Sequence, residues 1–254
     1  MIDWDRWLVK WHVEFLGRQW NFVDLATLAG LIYLHYLAVL APFYFTWPAF
    51  WSAVALYYIS GVGVTLSFHR NLSHKSFKLP KWLEYFFAYC GVLSFQRSPL
   101  EWVSIHRAHH QYTDTWNDPH SPIRGLWFSH IGWALDCRTR FGSGVRTVLF
   151  LHVIFGINSI CHTWGQQVWD TGDLSKNNWL IGLMAHGEGW HNNHHAFEYS
   201  AQHGFEWWQI DITWYLIRFL QAVGLATDVK LPTETQKKRR ALCNKINEES
   251  LKQK

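Results

Sequence analysis

No two of the four cysteines, Cys90, Cys137, Cys161 and Cys243, are spaced as CxxC. That excludes a thiolate cluster and a disulfide framework, and fits a reducing, cytosol-facing setting. Charge is scarce as well. Asp, Glu, Lys and Arg supply 17% of the residues and net +4, with no basic stripe of the kind that binds nucleic acid. The one dense run, Lys237 to Arg240, is expected to face solvent or anionic lipid headgroups. Residues 1–21 lack the apolar core of a signal peptide and the Arg- and Ser-rich, acid-poor composition of a transit peptide, so the first apolar span is expected to serve as an uncleaved anchor. Nothing in the 254 residues reads as an inter-domain linker, which suits a single domain.

What is abundant is apolar and aromatic. Hydrophobic residues make up 49%, with 18 Trp, 10 Tyr and 17 Phe, the aromatics that collect at membrane–water boundaries. The mean hydropathy of −0.12 averages a few apolar spans with a large polar, His-rich part. Residues 25–45 carry no Asp, Glu, Lys or Arg, and only His35 interrupts them; residues 47–68 are again free of charge. Each is long enough to cross a roughly 30 Å hydrocarbon core as a helix. Arg6, Lys10 and Arg18 precede this pair, and Arg70, Lys75, Lys78 and Lys81 follow it, so both ends of the hairpin are expected on the cytosolic side. Trp82 to Phe95 is short and contains Glu84, as an interfacial helix would. Val148 to Cys161 supplies about two-thirds of a span at roughly 1.5 Å per residue. Ile210 to Leu225 reads as an amphipathic helix with Trp214, Ile217, Leu220 and Leu225 on its apolar face. From Pro232 the tail is charged, polar and expected to be mobile.

Histidine carries the chemistry. Three clusters, His69-Arg-Asn-Leu-Ser-His74, His106-Arg-Ala-His109-His110 and His191-Asn-Asn-His194-His195, hold eight of the 16 histidines. Neutral imidazole offers a lone pair to transition metals at physiological pH, and eight such groups are too many for one zinc. They suit two iron-type centres at a membrane surface, and redox chemistry on a lipid-like substrate. HRAHH and HNNHH place their histidines at i, i+3 and i+4, on one helix face. His69 and His74 are i, i+5 and need a helix end where the chain turns. Asn158 and His162 form a further i, i+4 pair, and an Asn in an apolar helix is costly without a partner, which a metal-bound water would provide. His35, His152, His186 and His203 read as satisfied core residues.

With these clusters on the page, the chain resembles the membrane-bound fatty acyl desaturases of the Δ9-type branch, which includes plant acyl-lipid and acyl-CoA enzymes. The resemblance also rests on Asp118-Pro119-His120, Phe128-Ser129-His130, Asn158-Ser159 with His162, Gly187-Glu188-Gly189-Trp190, Asp211-Ile-Thr-Trp214 and Asp228-Val-Lys-Leu-Pro232. It implies an all-α integral membrane protein: an N-terminal transmembrane hairpin, one further short apolar helix, and a cytosolic helical cap carrying a di-iron site. One desaturase domain would cover residues 1–232, with 233–254 as the tail. It further implies that His69, His74, His106, His109, His110, His162, His191, His194 and His195 ligate two Fe2+ ions, with Asn158 contributing through water. The reaction implied is O2-dependent removal of two hydrogens from a methylene pair of a saturated acyl chain. Electrons would come from cytochrome b5 at the endoplasmic reticulum, or from ferredoxin in a plastid; a homo- or heterodimer stays open.

Two departures from that family stand out. Animal acyl-CoA enzymes carry an Arg-Asp pair just before HRxHH, where this chain has Ser104 and Ile105; losing that Arg removes a charge-assisted contact to an anionic headgroup and favours an acyl group on a glycerolipid. Second, Asp136 to Gly142 runs almost directly into the short apolar segment, so about one spanning helix and its loop are absent between the second and third clusters. With three crossings the third cluster would face the wrong side. Either Val148 to Cys161 dips in and returns, or it stays buried against the first hairpin, or the centre cannot assemble. A truncated inactive variant that regulates or dimerises with a full-length relative, and a His-box lipid hydroxylase, are the alternative readings.

Overall fold

The computed structural model describes residues 12–15, 18–94, 96, 98–135 and 148–241. Two short strands, β1 (His12–Phe15) and β2 (Arg18–Asn21), form an antiparallel ribbon, a small exception to the all-α expectation. Asn21 then caps α1 (Phe22–Leu40), its side chain accepting from Asp24 N while the Asp24 carboxylate accepts from Asn21 N. After a 3-10 turn, Thr46 caps α2 (Trp47–Val62), with Pro48 in its first turn, where a missing N–H is harmless. Two helices, Asp24–Tyr44 and Trp47–Ser73, are long and apolar enough to cross a membrane. Their outer faces, with Ile32, Tyr33, Val39, Trp47 and Trp51, are exposed.

The second helix does not end at Val62. It widens into a π-helix, Gly63–Ser73, that is almost wholly buried. Its i→i+5 bonding closes with His74 N donating to His69 O at 3.1 Å. The i, i+5 spacing of His69 and His74, which defeats an α-helix, is thus met partly by a wider helix as well as by a turn.

Further helices follow this segment along the chain. α3 (Lys81–Val92) buries Leu83, Phe87, Cys90 and Gly91 and exposes Trp82, Tyr85, Phe86 and Tyr89. α4 (Pro99–Tyr112) starts at a Ser98–Glu101 capping box. α5 (Val148–Ile160) lies against α1 and the π-helix Phe128–Gly132, sharing a core of Leu31, Ile131, Trp133 and Phe155. α6 (Trp179–Met184) precedes α7 (His191–Ala196). α8 (Ile212–Ala222) buries Trp214, Ile217 and Leu220 against Leu66, Phe77 and Leu83. The tail departs from expectation: α9 (Glu234–Arg240) is a helix capped by Thr233, and Asp170 N bonds Arg240 O at 2.9 Å. Asp136 to Gly142, where a span was expected to be missing, lies outside the described residues, as do Cys137 and Cys243. Cys90 and Cys161 are buried free thiols.

α3 crosses the π-helix at two glycines. A Cβ on Gly63 would sit 2.1 Å from Gly91 N and 2.4 Å from Cys90 C, both main-chain atoms that cannot move aside. We therefore expect Gly63→Val to cost about 3 kcal/mol or more. The check is the yield and melting temperature of the detergent-solubilised protein, both of which should fall sharply.

Candidate metal centre

The three histidine clusters and His162 meet where the π-helix Gly63–Ser73, α4, α7 and the end of α5 converge. His69, His74, His106, His110 and His194 form one group, and His109, His162, His191 and His195 a second; within each, one ring nitrogen per residue lies within 4.8 Å of the others. All nine expected residues are therefore brought together, and the third cluster lies beside the first: His69 Nε2 is 3.1 Å from His194 Nε2. The short α5 shares a core with the first apolar helix through Phe155 and Leu31. Asn158 lines the same cavity as His191.

In five of the nine rings an acidic residue at Nδ1 makes the inward-facing nitrogen a lone pair. His69 Nδ1 is 2.5 Å from Glu188, His109 Nδ1 3.0 Å from Asp118, and His110 Nδ1 3.3 Å from Glu198. His162 Nδ1 is 3.0 Å from Asp114, and His195 Nδ1 2.8 Å from Asp173. A carboxylate draws the ring proton to Nδ1, which leaves Nε2 of a neutral imidazole as an acceptor. Nε2 atoms then crowd at short range, His74 to His106 at 2.8 Å, His106 to His110 at 3.1 Å and His162 to His191 at 3.0 Å. His109 Nε2 and His195 Nε2 are buried with no hydrogen-bond partner at all. Converging, orphaned lone pairs in a buried space are what a bound transition metal satisfies, so the donor set fits two such ions.

Burial pushes His74, His106, His191, His194 and His195 well below the ordinary imidazole value, and neighbouring rings push the same way. Neutral rings are the ligand form. Burial alone would raise Glu188, but Arg70, His69 and His203 outweigh it and hold its carboxyl well below the usual range. Asp118 is likewise held low by His120 and His109 against its burial.

Arg70, fully buried inside the first cluster, ties the cap together. Its Nε and Nη2 donate to Glu188 Oε1 at 3.0 and 2.9 Å, and its Nη groups to both oxygens of Asp211 at 2.8 and 3.0 Å. Asp211 also caps α8 through Trp214 N. Gly187 has φ +115°, and a Cβ there would meet Asp211 Oδ1 at 2.3 Å, so the turn before the third cluster requires glycine. The two asparagines of HNNHH fix that turn of helix: Asn192 Oδ1 accepts from Val168 N and Trp169 N, and Asn193 bonds Asn177, His203 O and Gln209.

The four histidines read as core residues fare differently. His203 Nδ1 lies 3.1 Å from Glu188, and His35 and His152 are bonded to each other at 3.1 Å. His186 is buried with neither ring nitrogen bonded, so it is a core residue but not a satisfied one; burial pushes it down to about 4. The carboxylates Asp114, Asp173 and Glu198 were missed as site residues. The signal that points to them is an acid within four residues of a cluster for Asp114 and Glu198, and none for Asp173.

Both imidazole groups border one apolar cavity, walled by Val64, Trp102, Ile105, Trp133, Phe155 and Ile157, with His69, His106 and His191 at its polar side. A fatty acid desaturase family model matches residues 45–146. A chloroplastic palmitoyl-monogalactosyldiacylglycerol delta-7 desaturase from Arabidopsis thaliana is 50% identical, over 91% of this chain and 76% of its own length. The chain belongs to the fatty acid desaturase family. This desaturase is also similar to an icosanoyl-CoA 5-desaturase of Limnanthes douglasii, 50% identical over 89% of this chain and 77% of that one. It is 45% identical to delta-9 acyl-lipid desaturase 1 of Arabidopsis thaliana, over 89% of each. By its family it is an oxidoreductase of lipid metabolism.

The lowered imidazoles set a pH dependence. Each folded ring titrates below its unfolded value near 6.5, so below that pH the unfolded state binds more protons and folding weakens, by about 1.4 kcal/mol per ring per pH unit. Asp118 and Glu188 act in the same direction at lower pH. The metal-stripped protein should therefore melt at a markedly lower temperature at pH 5.5 than at pH 7.5, measured by tryptophan fluorescence; an unchanged or higher value would contradict the buried, neutral rings.

Proposed function

We propose that this chain is a di-iron desaturase that uses O2 to place a cis double bond, Δ9-type, in a saturated acyl chain. The observation that carries the reading is a pair of imidazole groups, five and four strong, bordering one apolar cavity. His69, His74, His106, His110 and His194 would hold one iron; His109, His162, His191 and His195 would hold the other, with Asn158 reaching it through water. Bound iron would supply the O2-dependent hydrogen abstraction that no side-chain base can perform on an alkyl C–H. The protein supplies the rest. Val64, Trp102, Phe155 and Ile157 exclude water and hold the chain's methylenes against the imidazoles, while the five carboxylates keep five of the nine ligand rings in register.

Ser104 is exposed and Ile105 lines the cavity wall. With no cation in either place to meet CoA phosphates, a glycerolipid is the proposed acyl carrier. The exposed apolar faces of α1, α2 and α3 suit a membrane-embedded enzyme of the endoplasmic reticulum with its centre on the cytosolic side. Relatives named as chloroplastic keep a plastid membrane as the second reading. Cytochrome b5, or ferredoxin in a plastid, would deliver the two electrons.

Expression in a desaturase-deficient yeast, followed by mass spectrometry of each lipid class, tests this. The expected result is a new monoene, esterified to glycerolipid, at position 9. A hydroxy acid would assign the hydroxylase reading, and no product from well-folded, iron-loaded protein would assign the inactive one.

A further inference from the structure

Three more histidines, on three separate elements, are bonded in series at the edge of the apolar core. His35 Nε2 on α1 lies 3.1 Å from His152 Nε2 on α5; His152 Nδ1 lies 2.8 Å from His130 Nε2 on the π-helix Phe128–Gly132. His130 Nδ1 lies 2.9 Å from Ser159 Oγ, back on α5. At the far end His35 Nδ1 is 2.7 Å from Leu31 O. A carbonyl only accepts, so His35 carries its proton on Nδ1 and its Nε2 accepts from His152 Nε2–H. His152 Nδ1 then accepts from His130 Nε2–H, and the single Ser159 hydroxyl proton is shared between His130 Nδ1 and Phe155 O, each 2.9 Å from Oγ. One set of neutral tautomers, fixed at Leu31 O, satisfies every link from Leu31 to His130.

Position gives this series its consequence. The three rings are half-buried beside the core that holds Leu31, Ile131 and Phe155, where a complete polar network is stronger than in water and a broken one more costly. Ser159 directly follows Asn158, and His162 comes three residues later, just beyond α5. The four-imidazole group takes His162 from this stretch of chain, whereas the five-imidazole group takes no residue from it.

We propose that His35, His152 and His130 are positioning residues, a clamp that docks α5 on α1 and thereby sets His162 and Asn158 at the four-imidazole group. The inference rests on the two-metal reading above. None of the three is in either imidazole group. Its signature is asymmetry: loosening α5 should empty one metal site and spare the other.

The test is iron per chain and the Mössbauer spectrum of the full-length protein, purified in detergent and loaded with ⁵⁷Fe. Wild type should hold one iron per imidazole group. His152→Phe, which breaks two links, should lose about half its iron, with one spectral component gone and the other unmoved. His152→Gln, whose amide can both donate and accept, should restore most of it. His35→Leu breaks only the α1 link and should show the same selective loss; it carries the test if His152→Phe does not fold. Full occupancy with an unchanged spectrum in the folded variants, or equal loss from both sites, overturns the clamp. Two irons in wild type with such a result leave the two-metal reading standing, whereas a wild-type chain that binds no iron overturns both.

Discussion

Nine imidazoles point into two small volumes, and in five of the nine a carboxylate holds the opposite edge of the ring. Glu188, Asp118, Glu198, Asp114 and Asp173 each face an Nδ1. That contact fixes the tautomer, stops the ring from turning over, and keeps Nε2 as the electron-pair donor. Without it, buried imidazoles at 2.8–3.1 Å would pair with one another as donor and acceptor, and the site would close on itself.

Most of the cap serves this arrangement. Glu188 holds His69 and, through Arg70, is bonded to Asp211, which caps α8; a ligand ring, a buried cation and a helix start are thus one network. A buried guanidinium between two carboxylates stabilises little by itself, but removing any member strands a charge beside the centre. The same logic applies to Asn192 and Asn193, whose amides satisfy main-chain groups of the 168–169 loop and the 203–209 turn. The apolar wall across from the imidazoles completes a place for an alkyl chain, which offers no polar handle of its own.

Local features were legible in the sequence. The i, i+3, i+4 spacing of HRAHH and HNNHH puts the rings on one face, and α4 and α7 are helices there. The apolar face of α8 follows from Trp214, Ile217 and Leu220. What could not be read lies in pairs distant along the chain. Asp114 meets His162 across 48 positions, and His35 meets His152 across 117; no periodicity encodes such contacts. The π-helix was invisible because its i→i+5 bonding is imposed by packing around Gly63 and Gly91, not by propensity. How the short 148–161 segment brings the third cluster to the first two was likewise unreadable: α5 shares a core with α1 at Leu31 and Phe155, and His162 just beyond it meets His191.

The central claim is that two metals sit in two separate imidazole groups. X-ray diffraction from crystals of the iron-loaded protein, with data on both sides of the iron K edge, addresses it directly. The account requires two anomalous peaks, one among His69, His74, His106, His110 and His194, the other among His109, His162, His191 and His195. A single peak, or iron bound elsewhere with these rings left bonded to one another, would contradict it.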